Sequence, residues 1–188
     1  MKTSKQRIVG VLGIALLYLT IAGGLTPKAW ADSAVEIDAG VSATLEKFYS
    51  EVKDGKKLVE DAKGVLVFPN VYKAGFVFGG EYGEGALQIN GKSVDYYNTM
   101  AGSFGFQIGA QKKSIILVFM QDAVLNNLRQ SANWKVGADA SVTLINIGAD
   151  GSIDTAKFNE PILAFVIGQK GLMYNLTLEG TKFTKLER

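Results

Sequence analysis

The 188-residue chain contains no cysteine and no histidine. The first absence removes disulfides, thiolate nucleophiles and sulfur-based metal sites. The second removes the side chain most often used as a general base near neutral pH. Together they exclude Ser-His-Asp and Cys-His catalysis and zinc sites built on His or Cys. Carboxylate, lysine or tyrosine chemistry is all that is left to an enzyme, so the expectation is a non-catalytic protein with no cofactor and no metal. A chain without cysteine also has no thiol for lipoprotein attachment.

Strong charge of either sign is missing too, once the N-terminus is set apart. Lys2, Lys5 and Arg7 make a positive start without an acidic residue, and an apolar stretch from Ile8 to Leu25 follows. Ala29-x-Ala31 is the small-x-small pattern a signal peptidase needs, so residues 1–31 read as a signal peptide cleaved at Ala31. The expected destination is periplasmic or secreted. Those residues hold four of the 20 basic side chains and none of the 18 acidic ones, which leaves 16 basic against 18 acidic in residues 32–188. Bulk positive charge for nucleic acid is therefore absent, and no nucleic-acid partner is expected.

Residues 32–188 read as one domain, with neither a low-complexity linker nor a solenoid-length repeat. Val41, Leu45, Phe48 and Val52 recur at helical spacing. A shorter turn resumes through Leu58, Val59 and Ala62 and stops at Gly64. The period then changes to two. Val65-Leu66-Val67-Phe68 reads as a strand ended by Pro69-Asn70. Alternation recurs around Phe104, Phe106 and Ile108, from Trp134 to Leu144, and from Leu172 to Leu178. The apolar runs at residues 115–120 and 162–167 read as strands covered on both sides, with a helix between them capped by Asp122. Of 22 glycines, 16 lie from Gly64 onward, where they mark bends and bulges. The fold class is α+β: a strongly bent, mostly antiparallel sheet, open or closed into a barrel, with an N-terminal helix and a short helix between strands.

Gly79-Gly80-Glu81-Tyr82-Gly83-Glu84-Gly85 lacks both the G-x-G-x-x-G spacing and a Walker lysine, and its two carboxylates would repel phosphate. Phe76, Val77 and Phe78 before the run and Ala86, Leu87 and Ile89 after it suggest a glycine-rich strand or hairpin, in which Glu81 and Glu84 read as a solvated turn rather than a catalytic pair. Asp150-Gly151-Ser152-Ile153-Asp154 lacks the ligands of a calcium loop and reads as a turn. Lys56, Lys57, Lys63 and Lys73 cluster around the first helix and strand, and Lys112 and Lys113 sit at a strand junction. Such lysines suit anionic headgroups. Phe48 adds apolar insertion potential, although its spacing equally suits the core.

The run from Ala62 to Gly85, containing Lys63-Gly64-Val65-Leu66-Val67-Phe68-Pro69-Asn70, resembles the signature of the SYLF-domain family. Ser103 to Gln111, Trp134 to Asp139 and Gly171 to Gly180 extend the resemblance in order, so that it covers residues 41–185. It implies a lipid-binding module without enzymatic activity, phosphoinositides being the eukaryotic ligand. The chain looks most like the exported bacterial-type branch, with Tyr96-Tyr97-Asn98 where eukaryotic members tend to carry Trp and Pro. A periplasmic member would meet phosphatidylglycerol or cardiolipin. The expected function is binding of anionic phospholipid at a membrane surface through Lys56, Lys57, Lys63, Lys73, Lys112, Lys113 and Phe48. The alternative is an envelope protein whose glycine-rich sheet docks a protein partner.

Overall fold

A computed structural model describes residues 32–75, 78–104, 109–148, 150–168, 171–172 and 178–188. Helix α1 (Ala34–Glu51) opens with a reciprocal cap: the Glu36 amide donates to the Ser33 hydroxyl, and the Glu36 carboxylate accepts from the Ser33 amide at 2.8 Å. The Ser33 amide, and the Ser33 hydroxyl donating to the same carboxylate at 2.7 Å, hold the Glu36 carboxyl below its usual range. Ile37, Val41, Leu45 and Phe48 fall on one buried face. A short helix α2 (Gly55–Asp61) follows.

Four long strands come next: β1 (Gly64–Gly75), β2 (Phe78–Ile89), β3 (Lys92–Phe104) and β4 (Gly109–Phe119). After them come α3 (Asp122–Gln130), β5 (Asn133–Lys135), β6 (Thr143–Leu144), a 3-10 turn (Thr155–Asn159), β7 (Ile162–Gly168), β8 (Gly171–Leu172) and β9 (Lys182–Leu186). The strands make one sheet in the order β5-β9-β3-β2-β1-β4-β7-β6, with β8 on β7. Its pairings are antiparallel except β6 with β7. The sheet curls into a half-barrel, and the fold is α+β as the sequence predicts.

The sheet separates two cores, and strand alternation decides which residue enters which. Val65 and Val67 of β1 and Ile116 and Val118 of β4 pack under α1 with Phe48 and Phe165. Leu66, Phe68, Ile115, Leu117 and Phe119 point the other way, onto α3, Trp134 and Phe183. Trp134 stacks on Phe183, Phe183 stacks on Phe68, and the indole N–H donates to the Asn127 side chain at 2.7 Å. Strand β7 is buried along its whole length, as its unbroken apolar run predicts.

Three expectations need correction. Pro69 does not end β1, because the strand bulges there. Register slips between Phe68 and Val71, the extra residue absorbs the missing N–H, and the Pro69 carbonyl accepts from Ser114 Oγ at 2.7 Å. Opposite the bulge, a side chain on Gly83 would sit 2.5 Å from the Asn70 carbonyl oxygen, and one on Gly85 would strike that of Val67, so glycine is required at both. Residues 134–144 are not one strand. The Lys135 amide donates to the Asp139 carboxylate at 2.6 Å, Gly137 turns with φ +86°, and only the two ends pair with the sheet. Trp134, Val136, Ala140, Val142 and Leu144 still face one core, which is why the pattern imitates a strand. Third, α3 is capped at Gln121, and Asp122 lies inside its first turn, where a carboxylate suits the helix dipole. The Asp150 turn is as expected, closed by Gly151 at φ +80°. Phe106, Ile108, Tyr174 and Leu176 of the predicted strands lie outside the described residues.

Candidate functional site

Beyond the bulge the long strands carry their chemistry, and the two faces differ. Register sets Lys112 opposite Tyr72, Tyr72 opposite Tyr82, Tyr82 opposite Met100, and Met100 opposite Lys182. Residues directly opposed across a sheet share a face. A row Lys–Tyr–Tyr–Met–Lys therefore crosses β4, β1, β2, β3 and β9. It lies on the α1 side of the sheet, because Val71 and Phe183, the neighbours of Tyr72 and Lys182, enter the opposite core.

That row is open. Tyr72, Tyr82 and Met100 are 52%, 45% and 52% exposed, and they are three of the five large apolar side chains exposed among the described residues. The Lys112 ammonium lies 5.7 Å from the centre of the Tyr72 ring, a cation–π contact. Beside Lys112 is a groove of about 330 Å³ lined by Thr44 and Lys47 of α1, Asn70 of β1 and Ser114 of β4. Tyr82 is held by its hydroxyl, which donates to Glu84 at 2.7 Å. Burial first, then that bond to a carboxylate, push its pKa up to about 12, so the Tyr82 hydroxyl keeps its proton at physiological pH.

The opposite face at the same level is closed. Lys113 and Glu81 meet at 2.6 Å, and Lys73 approaches the same carboxylate at 3.7 Å. Lys113 is 7% exposed and Glu81 13%. Glu84, by contrast, shares Tyr82's face two residues along β2, where it is buried at the base of the row and accepts from Arg188 at 2.7 Å and from the Asp32 amide at 3.1 Å. The solvated-turn reading of Glu81 and Glu84 is overturned. Both sit in β2, each tied to a cation, in the glycine-rich strand that the apolar flanks of the run predict.

The seven residues singled out from sequence do not converge. Phe48 is fully buried, its ring edge-on to Phe165 at 4.8 Å, so it belongs to the core and is not offered to a bilayer in this fold. Lys56 and Lys57 lie exposed on α2, Lys56 pairing with Glu60 at 3.9 Å, and Lys63 is exposed between α2 and β1. Lys73 and Lys113 are engaged by Glu81, which leaves Lys112 on the open row. The row of Tyr72, Tyr82, Met100 and Lys182 has no signature in the sequence, because their alignment is a property of register and not of spacing along the chain.

Residues 100–187 match the family model Ysc84, described as Las17-binding protein actin regulator, consistent with a SYLF-domain chain. The matched stretch contains Met100, Lys112, Lys113 and Lys182. No curated protein matches the chain.

Proposed function

We propose that this SYLF-type chain is a non-catalytic, exported domain that docks on anionic phospholipid through the open row of Lys112, Tyr72, Tyr82, Met100 and Lys182. The observation that carries the reading is the order along the row, with cations outside and aromatic and thioether side chains between them. Tyrosine favours the headgroup level of a bilayer, where its ring meets acyl chain and its hydroxyl stays polar. Lysine near an anionic surface contributes about 1 kcal/mol. The groove beside Lys112 offers Thr44, Ser114, Asn70 and Lys47 to a headgroup.

Export rests on the basic start, the apolar stretch and Ala29-x-Ala31, with cleavage at Ala31. The lack of cysteine and histidine supports a role without turnover. Among the described residues no helix is long and apolar enough to cross a membrane.

A protein partner is the second reading, favoured by the words of the family description. Co-sedimentation of residues 32–188 with phosphatidylglycerol and phosphatidylcholine vesicles tests the first. Binding confined to the anionic vesicles supports it. Equal, negligible binding to both, together with a discrete crosslinked complex in the envelope, would favour the second.

A further inference from the structure

The chain segment that enters α1 is anchored at a carboxylate in the sheet. The Asp32 amide donates to Glu84 Oε2 at 3.1 Å, and Arg188 donates to the same oxygen at 2.7 Å. Tyr82 takes the other oxygen. Glu84 is only 8% exposed, and a carboxylate so placed is costly unless its lone pairs are matched by donors. The charges around it are not balanced while residue 32 follows a peptide bond. Glu84 and the Asp32 side chain bring two negative charges, both close enough to raise the pKa of the Tyr82 hydroxyl, whereas among the described residues Arg188 is the one cation acting on that hydroxyl.

We infer that Glu84 is the receptor for the new N-terminus, binding the α-ammonium of Asp32 once the leader has been removed. Hydrolysis by a leader peptidase adds water across the Ala31–Asp32 bond. The Ala31 carboxylate leaves with the leader, and the freed Asp32 amine takes up a proton. One neutral N–H donor thereby becomes an ammonium, and the contact to Glu84 becomes charge-assisted. Two cations then meet two carboxylates.

The inference rests on the export reading above but not on lipid binding. It gives processing a physical consequence in the folded domain, since maturation tightens the entry to α1 and the carboxylate that holds Tyr82 in the open row. The folded protein favours the ammonium, so the amine titrates above its unfolded value of about 7.7. The added stability is fully present below that pH and is lost as pH rises through the higher folded value.

The test uses the processed protein recovered from an exporting bacterial host. Its N-terminal sequence and intact mass come first, and a terminus other than Asp32 overturns the export reading and this inference together. On protein that begins at Asp32, the α-amine is titrated by NMR and Tm is measured before and after selective N-terminal acetylation. The expected result is a titration one pH unit or more above the ordinary value, about tenfold in the protonation equilibrium. Acetylation should lower Tm by about 2–4 °C, and Glu84→Gln should abolish both effects. An amine that titrates at its ordinary value in wild-type protein beginning at Asp32, with Tm indifferent to acetylation, overturns the inference and leaves the export reading intact.

Discussion

At the outer end of β1, β2 and β4, two faces a strand's thickness apart use the same side chains to opposite ends. On one, Lys73 and Lys113 converge on Glu81 with little water around them. On the other, Lys112 lies over Tyr72 in an open row that runs to Lys182. Lys112 and Lys113 are adjacent in sequence, yet one is available to a partner and the other is spent on the fold. The difference is strand parity, since neighbouring residues point to opposite faces. A lysine pair in a strand is thus one surface cation and one structural cation.

Removing the partner of the buried lysine breaks this comparison at its strongest point. Glu81→Gln leaves Lys113 desolvated without a counter-ion, and the expected loss is about 3 kcal/mol in denaturant unfolding. Charge removal on the open face should leave unfolding unchanged and act on binding instead. The double variant Lys112→Gln/Lys182→Gln is expected to weaken binding to phosphatidylglycerol vesicles by about 2 kcal/mol, close to 30-fold. Lys56→Ala/Lys57→Ala sharpens the contrast. Those lysines lie on α2, away from the row, and the pair is expected to cost less than about 0.5 kcal/mol in the same assay, below the contribution of one interfacial lysine.

Elsewhere in the sheet, burial raises the Asp95 pKa, but hydrogen bonds and charge from Lys185 and Arg129 outweigh it and hold the group below its usual value. A depressed carboxyl contributes stability above the unfolded value of about 3.9 and loses it as pH falls through the folded one. Asp95→Asn should therefore flatten the acid limb of a stability–pH curve while leaving vesicle binding unchanged. This is the smallest of the expected effects, because both partners are 40% exposed.

The architecture was legible where one periodicity ran unbroken. Val41, Leu45 and Phe48 mark the helix, and residues 162–167 mark a strand buried on both faces. It failed where a local backbone device changed the bookkeeping. Carried straight through Pro69, the alternation set by Leu66 and Phe68 would send Tyr72 into the core. The bulge flips parity, so Val71 goes in and Tyr72 comes out. At Trp134 to Leu144 the error ran the other way, because a turn at Gly137 keeps apolar residues on one core without a ladder to match.

The site was less legible than the fold. Lysines are visible in a sequence, but their carboxylate partners across the sheet are not, so Lys73 and Lys113 resemble Lys112 until register is known. Phe48 carries both the spacing of a core residue and the chemistry of an insertion anchor, and packing against Phe165 decides for the core. The alignment of Tyr72, Tyr82 and Met100 needs three strands in register, and no local signal announces it.

The most direct measurement is a side-by-side vesicle titration of residues 32–188 and the Lys112→Gln/Lys182→Gln variant, with folding of each verified by unfolding midpoint. Anionic-vesicle binding that falls about 30-fold at an unchanged midpoint is the result predicted from two lysines at the interface. Identical binding by two equally stable proteins would contradict the claim that this face of the sheet meets the membrane.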